Sequence, residues 1–237
     1  MAKKKVPVED YLPKSVKELS GFTKANLQLD EYQTNFVDAI INPNKLIVFC
    51  NSKAGTGKTT LAVGASQMLV EAGGYQNGIY YIASPTQEVK QGFLPGNINA
   101  KSDPYFEPFY EALHKIGVNK FLATYDDAES QKFGDSIYHA ITHTYLRGCN
   151  FEDSIIIIDE AQNYYNDELK KVLTRCADSC KIIVIGHTGQ CDIFDHPERS
   201  GFARYIKHFS DDERCSVCSL TKNYRGWISS KADELEF

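Results

Sequence analysis

The sequence lacks both a long apolar run and a hydrophobic leader. No stretch approaches the ~18–20 consecutive apolar residues that a membrane-spanning helix needs. The basic start at residues 1–5 is followed by Val-Pro-Val-Glu-Asp, without an apolar core, which excludes an ordinary signal peptide. These absences predict a cytoplasmic protein without a membrane partner.

The sequence also lacks an excess of positive charge, since 26 Lys and Arg residues face 31 Asp and Glu residues for a net charge of −5. No global basic field indicates nucleic-acid binding, although a local basic face remains compatible with it. Seven cysteines, an odd number, favour reduced thiols over a disulfide framework. A length of 237 residues with 42% hydrophobic residues suits one α/β domain with a sizeable core.

The most informative stretch is a glycine-rich turn between an apolar run and an amphipathic segment, and it reads Ser-Lys-Ala-Gly-Thr-Gly-Lys-Thr over residues 52–59. It looks like a Walker A phosphate loop, in which glycines let backbone N–H groups surround a polyphosphate at a helix N-terminus. Lys58 is predicted to contact the β- and γ-phosphates, and Thr59 to hold Mg²⁺. Ser52 departs from the motif, which has glycine at its first position. The predicted nucleotide-binding residues are Ala54, Gly55, Thr56, Gly57, Lys58, Thr59 and Thr60.

Four consecutive isoleucines at 155–158 are followed by Asp159 and Glu160. Such a run is typical of a parallel strand buried on both faces, and it places the acidic pair at the carboxyl end of the strand. On its own the pair also fits a capped helix start, but behind a phosphate loop it predicts a Walker B site. Asp159 is then predicted to hold Mg²⁺, and Glu160 to polarise the attacking water.

Three further polar residues are candidate site residues. Gln33 lies on a predicted helix before the phosphate loop, and it either reads the adenine edge or is a solvated helix residue. Gln190 follows a predicted strand over 181–185, and it either senses the γ-phosphate or is an ordinary loop residue. Arg225 follows the last predicted strand. It either contacts the transferring phosphoryl group, in its own subunit or a neighbour's, or forms a surface salt bridge.

Hydrophobic period and breaker residues predict the remaining elements. The expected helices cover 29–40 and 201–209, and the expected strands cover 46–50, 79–83, 154–158, 181–185 and 216–221. Asp103 and Pro104 are predicted to open a helix that runs to about Lys115. The acidic segment 121–130 is predicted to be a loop or hairpin. In a doubly wound sheet the carboxyl ends of the strands face the ligand crevice.

Two pairs of residues have spacings that raise the question of a metal. Cys215 and Cys218 have C-x-x-C spacing, but they alternate within a predicted strand and lack the glycine of a metal-binding knuckle. His139 and His143 lie four residues apart without the glutamate of a metalloprotease motif. Structural roles are therefore favoured for both pairs.

Together these motifs resemble the PhoH family, phosphate-starvation-associated P-loop ATPases whose core is similar to a superfamily-1 helicase motor. Beyond the phosphate loop, the resemblance rests on Gly-Phe-Leu-Pro-Gly at 92–96, Asp-Pro-Tyr at 103–105, Tyr-Leu-Arg-Gly at 145–148 and Ile-Asp-Glu-Ala-Gln-Asn at 158–163. It implies a single P-loop NTPase domain of α/β class, with a RecA-like, mostly parallel sheet flanked by helices. The domain is expected over 28–227, after a lead-in at 1–27 and before a tail at 228–237.

The resemblance implies a Mg²⁺-dependent ATPase that binds ATP, forms a ring-shaped homo-oligomer, expected to be a hexamer, and is coupled to single-stranded RNA. It assigns adenine recognition to Gln33, a sensor role to Gln190 and a finger role to Arg225. It also implies the bacterial cytoplasm, or the host cytoplasm for a bacteriophage protein. The chain departs from the family pattern at Ser84, where Arg often stands, and at His187, where the family has Asp.

Two other functions stay open. An ATP-dependent regulatory or assembly module, with slow hydrolysis and no helicase activity, is favoured by the acidic balance and by His187. A nucleoside kinase is suggested by the Asp-Glu-Ala-Gln stretch at 159–162 and by the C-x-x-C pair, as in thymidine kinases. The 92–96 segment and Arg225 fit the PhoH pattern better.

Overall fold

The computed structural model describes residues 28–84, 98–118, 123–125, 137–146, 148–191 and 200–232. The helices are α1 (Glu31–Ile41), α2 (Lys58–Glu71), α3 (Ile98–Lys115), α4 (Asn166–Leu173), α5 (Gly201–Phe209) and α6 (Trp227–Ala232). The strands are β1 (Ile47–Asn51), β2 (Ile79–Ala83), β3 (Ala123–Tyr125), β4 (Tyr138–Thr142), β5 (Ile155–Ile158), β6 (Lys181–Gly186) and β7 (Cys215–Cys218). None of these helices is long and apolar enough to cross a membrane. The 92–96 motif and Arg147 lie outside the described residues.

The seven strands form one sheet in the order β3-β4-β2-β5-β6-β1-β7, and every pairing is parallel. Parallel neighbours need crossover connections, which place helices on the faces of the sheet. Here α1, α2 and α3 cover one face, and α4 and α5 cover the other. The predicted class, an α/β P-loop domain with a parallel sheet flanked by helices, is confirmed.

Strand β5 lies at the centre of the sheet, and its four isoleucines are 0% exposed. Ile155 and Ile157 belong to the core under α1, α2 and α3, whereas Ile156 and Ile158 belong to the core under α4 and α5. Burial of one such side chain stabilises the fold by about 1.5–3 kcal/mol. The run is apolar without alternation because both faces of the strand are covered.

Helix α1 begins with a capping box that holds Gln33 in place. The Asp30 carboxylate accepts a hydrogen bond from the Gln33 N–H (2.8 Å), and the Gln33 side chain accepts one from the Asp30 N–H (3.2 Å). These bonds satisfy N–H groups that have no partner within the helix. Phe36 and Ile40 are buried on the inner face, and the helix ends before Asn42, as predicted.

Helix α3 begins earlier than the sequence predicts. It starts at Ile98, so Asp103 does not open it, and Pro104 and Pro108 lie inside the helix. An internal proline removes one backbone hydrogen bond and disfavours the helix. Packing against the sheet offsets that loss through three side chains at 0–1% exposure, which are Phe106, Phe109 and Leu113.

The two edges of the sheet also differ from the prediction. Strand β7 covers Cys215–Cys218 instead of 216–221, because the chain then leaves β1 and the Leu220 N–H donates to the Ser52 hydroxyl (2.6 Å). At the other edge, part of the predicted loop or hairpin forms β3, which pairs in parallel with β4. Helix α6 spans the boundary between the expected domain, which ends at 227, and the expected tail, which begins at 228.

The central position of β5 makes its side chains the most costly to truncate. We expect Ile157→Ala to lower the free energy of unfolding by about 2–5 kcal/mol, because it leaves a cavity between the sheet and the helices. Val217, in the edge strand β7, is 47% exposed, so Val217→Ala should change that free energy by less than about 0.5 kcal/mol. Urea titration measures both, and equal losses would contradict the central placement of β5.

Candidate active site

The carboxyl ends of three strands meet at one edge of the sheet and carry the predicted motifs. Strand β1 leads into the phosphate loop, β5 into Asp159 and Glu160, and β6 into the turn that contains Gln190. Because β6 lies between β5 and β1, these three segments are neighbours. This edge is where parallel α/β sheets bind ligands.

The phosphate loop turns at two glycines. Gly55 and Gly57 have φ values of 79° and 91°, a left-handed conformation that other residues rarely adopt. Gly57 caps α2, so the N–H groups of the loop lie at the positive end of the helix dipole. The Thr56 hydroxyl donates to a carbonyl earlier in the loop (3.0 Å). Ala54 precedes the turn and Thr60 lies in the first turn of α2, and both are half-buried.

Ser52 occupies the position where the motif has its first glycine, and its side chain forms buried contacts that glycine could not. Its hydroxyl accepts from the Leu220 N–H (2.6 Å) and lies 3.3 Å from the Cys50 thiol. Its own N–H donates to the Gly186 carbonyl (2.9 Å). The departure from glycine therefore adds an anchor between the phosphate loop and the chain that follows β7.

Lys58 and Thr59 begin helix α2, and both side chains donate hydrogen bonds within the site. The Lys58 ammonium donates to the carbonyls of Ser52 (2.8 Å) and Lys53 (2.9 Å), which hold it beneath the loop at 8% exposure. The Thr59 hydroxyl donates to Oδ2 of Asp159 at 2.8 Å. The two motifs that the sequence predicts separately are thus in direct contact.

Asp159 is 2% exposed and accepts three hydrogen bonds. Oδ2 accepts from Thr59 and from the Tyr81 hydroxyl (2.7 Å), and Oδ1 accepts from the Glu160 N–H (2.8 Å). A carboxylate beside a hydroxyl is a pair of hard oxygen ligands, which suits Mg²⁺. The sequence analysis missed Tyr81, because in sequence it reads as an ordinary residue of a buried strand.

Glu160 has a left-handed backbone, with φ 48° and ψ 43°. A residue other than glycine in this region costs about 1–3 kcal/mol, and such strain clusters at functional sites. The Glu160 carboxylate accepts from the Gln162 amide (2.6 Å), and Gln162 in turn accepts from the His187 N–H (2.9 Å). Gln162 therefore links Glu160 to the turn after β6. No role for Gln162 was predicted, although it belongs to the quoted 158–163 motif.

The turn after β6 places Gln190 at the same edge of the sheet, with its side chain exposed. The Gln190 N–H donates to the His187 carbonyl (3.1 Å). Asn51, at the end of β1, accepts from the Thr188 N–H (3.0 Å) and donates to the Thr188 hydroxyl (3.0 Å). These bonds hold the turn, whereas the sensor role of Gln190 stays a prediction.

Gln33 is 6% exposed and contacts the phosphate loop directly. Its amide donates to the Thr56 carbonyl (3.1 Å), while its oxygen serves the cap of α1. A Cβ at Gly57 would lie 3.5 Å from the Gln33 amide nitrogen. The structure thus brings Gln33 to the loop, and recognition of adenine by Gln33 stays a prediction.

Arg225 is exposed and lies beside the phosphate loop of its own chain. A Cβ at Gly55 would come within 2.5 Å of the Asn223 side-chain oxygen and 3.2 Å of Cδ of Arg225. The Tyr224 N–H donates to the Gly55 carbonyl (2.8 Å). We call residues 223–225 the loop strap. The sequence singled out Arg225 but gave no role to Asn223 or Tyr224.

The loop strap is also tied to the start of α1. The Tyr224 hydroxyl donates to Oδ2 of Asp30 at 2.7 Å. Partial burial and this hydrogen bond raise the pKa of Tyr224 to about 12. Partial burial of Asp30 opposes its ionisation, but hydrogen bonds from the Gln33 N–H and from Tyr224 lower the pKa of Asp30 overall. Both groups are therefore in the correct protonation state for this bond at neutral pH.

The Cys and His pairs have structural surroundings. Cys215 belongs to the core on one face of the sheet, and Cys218 packs against the core on the other, so the two thiols do not converge. His139 stacks on Tyr80 at a centroid distance of 4.3 Å, and His143 contacts Glu168 at 3.2 Å. In the part of the chain that the structure describes, no group of three or more His, Cys, Asp or Glu residues forms a metal cluster.

The anchor at Ser52 has a measurable consequence for stability. Ser52→Ala leaves the buried Leu220 N–H without its acceptor, so we expect the free energy of unfolding to fall by about 1–3 kcal/mol. Ser210 is the control, because its hydroxyl donates to a carbonyl at an exposed helix end. Ser210→Ala should change the value by less than about 0.5 kcal/mol. Equal urea midpoints for the two variants would contradict the anchor.

The sequence is similar to that of known proteins, and this similarity is consistent with the phosphate-loop site described above. A family model described as PhoH-like protein matches residues 28–226. Protein PhoH of Escherichia coli K12 is 30% identical over 204 residues, which cover 84% of this chain and 54% of that protein. Protein PhoH2 of Bacillus subtilis is 31% identical over 224 residues, which cover 91% and 48% of the two chains. The PhoH-like protein of Mycobacterium tuberculosis H37Rv is 30% identical over 191 residues, which cover 80% and 51%. The chain spans about half the length of these relatives, and it belongs to the PhoH family of P-loop proteins.

Proposed function

We propose that the chain binds ATP with Mg²⁺ and hydrolyses it. The observation that carries this proposal is the 2.8 Å contact between Thr59 and Asp159 beneath the phosphate loop. It sets two oxygen ligands side by side at a helix N-terminus, where a polyphosphate is favoured. When bound, Mg²⁺ neutralises charge on the β- and γ-phosphates. Glu160 follows Asp159 in the chain and is the base that orients the attacking water.

The other site residues take roles that match their places. Lys58 leaves the loop carbonyls to contact the phosphates, and the N–H groups from Ala54 to Thr60 surround them. Gln33, already at the loop, reads the adenine edge. Gln190 senses the γ-phosphate from the turn after β6. Gln162 holds Glu160 against that turn, so a change at Gln190 and the position of Glu160 are linked.

The proposed partners rest on the family resemblance and on exposed side chains. The family resemblance supports a ring-shaped homo-oligomer, a hexamer, and the exposed Trp227 and Ile228 on α6 offer apolar surface for a subunit contact. It also supports coupling of ATP turnover to single-stranded RNA. Tyr145 and Tyr165 follow β4 and β5 at the carboxyl edge, and these residues, 52% and 44% exposed, offer aromatic rings on which bases stack.

A second candidate function is an ATP-dependent regulatory module with slow hydrolysis. It is favoured by the loop strap, because the bond from the Tyr224 N–H to the Gly55 carbonyl ties the strap directly to the nucleotide loop. The nucleoside kinase alternative has no comparable support, since the Cys pair that recommended it lies on opposite faces of the sheet.

The test of the proposed function is ATP hydrolysis by wild type, Glu160→Gln and Glu152→Gln in one Mg²⁺ buffer at low salt, with and without single-stranded RNA. Loss of the base should lower kcat by about 10²-fold or more while ATP binding persists. Glu152 is the control, because it is an exposed glutamate just before the other end of β5. Stimulation of wild type by RNA supports the coupling. If wild type binds ATP without hydrolysing it, the regulatory module replaces the ATPase.

The position of the loop strap predicts that Arg225 acts on the nucleotide of its own subunit. Arg225→Ala should then lower kcat, by roughly 10³-fold for a finger residue. Mixtures of Arg225→Ala with the phosphate-loop variant Lys58→Ala should stay inactive, because neither subunit then holds both a bound nucleotide and the finger. Arg214→Ala, which removes an exposed arginine paired with Asp212, is the control. Activity regained in the mixture of the two variants would place Arg225 in a neighbour's site instead.

A further inference from the structure

Tyr81 connects the layer of helices to the acidic end of β5. It lies in β2 and is 1% exposed, with its ring stacked on Phe109 of α3 at a centroid distance of 4.8 Å and an interplanar angle of 7°. Its hydroxyl donates to Oδ2 of Asp159 at 2.7 Å. A ring held by stacking and by complete burial leaves the hydroxyl little freedom, so the hydrogen bond fixes the position of the carboxylate.

Three donors form hydrogen bonds to the Asp159 carboxylate. Oδ2 accepts from both Thr59 and Tyr81, and Oδ1 accepts from the Glu160 N–H. Thr59 is itself a proposed metal ligand, so its hydroxyl is needed both for the metal and for the bond to Asp159. Of the two hydroxyls that donate to the Asp159 side chain, that of Tyr81 is the one without a ligand role.

The state of the Tyr81 hydroxyl does not change with pH in the neutral range. Burial, and then the charge of Asp159, raise the pKa of Tyr81 well above its ordinary value. The phenol therefore keeps its proton and remains a donor. A neutral phenol does not compete with Asp159 for a cation, but it does orient the carboxylate that binds one.

We propose that Tyr81 is a positioning residue that holds the Asp159 carboxylate for Mg²⁺-dependent nucleotide binding, an inference that rests on the proposed function. Partners that hydrogen-bond to a metal ligand commonly change metal affinity by about 10–100-fold when they are removed. Phenylalanine at this position keeps the stacked ring and loses only the donor. Tyr81→Phe is therefore the informative substitution.

Tyr164 provides a matched control. It is 0% exposed, and its hydroxyl donates to the Ile82 carbonyl (3.0 Å) instead of a carboxylate. That carbonyl also accepts from the Asp159 N–H (3.3 Å), so Tyr164→Phe does not leave it without a partner. The two variants each delete one buried hydroxyl, and they differ in whether the Asp159 side chain loses a donor.

Wild type and both variants would be titrated with a fluorescent, non-hydrolysable ATP analogue, first in EDTA and then at increasing Mg²⁺. For Tyr81→Phe we expect the Mg²⁺ concentration at half-maximal tightening to rise roughly tenfold. Its affinity for the analogue in EDTA should equal that of wild type, and Tyr164→Phe should match wild type in both conditions. General loss of structure would instead weaken binding with and without Mg²⁺.

Each other result overturns a defined statement. An unchanged Mg²⁺ dependence in Tyr81→Phe would refute the positioning role and leave the proposed function in place. An equal shift in both variants would also refute it, because the effect would then follow from the loss of any buried hydroxyl. If wild type binds the analogue without responding to Mg²⁺, the proposed magnesium site fails and the role of Tyr81 fails with it.

Discussion

The hydrogen bond between Thr59 and Asp159 is the contact on which the site depends. It joins the first turn of α2 to the end of β5 across 100 residues of sequence. The contact is possible because β5 lies beside β6, and β6 beside β1, so their carboxyl ends share one edge. A carboxylate at 2% exposure is tolerated there because its oxygens accept three hydrogen bonds. The core of β5 and the chemistry at its end are therefore parts of one arrangement.

The phosphate loop is held by three hydrogen bonds from two parts of the chain, which are α1 and the segment between β7 and α6. Ser52 binds the segment after β7, Gln33 of α1 donates to a loop carbonyl, and Tyr224 donates to the Gly55 carbonyl. A loop that is already ordered loses less conformational entropy when a ligand binds. The tie between Tyr224 and Asp30 closes this set of bonds, because Asp30 also caps the helix that carries Gln33. The start of α1, the phosphate loop and the loop strap thus act as one unit.

Agreement between sequence and structure is best where a local signal decides the element. The strand at 79–83 and the helix at 201–209 have the predicted bounds, because apolar pattern and flanking turn residues act over a few positions. The prediction that α3 begins at Asp103 was wrong, because packing of the apolar face of this helix outweighs the cost of an internal proline at 104. The predicted end of β7 at residue 221 was also wrong, because the Leu220 N–H donates to a side chain of the phosphate loop instead of pairing with β1.

The sequence by itself determined the phosphate loop and the central strand. Left-handed turns at Gly55 and Gly57 follow from the lack of a Cβ, and a run of four isoleucines suits a strand covered on both faces. Only the tertiary structure decided that Tyr81, Gln162 and Tyr224 belong to the site. Each makes its site contact with a partner that the local pattern does not specify. Hydrophobic periodicity reports which face of an element is buried, but it carries no information about which polar atom lies opposite.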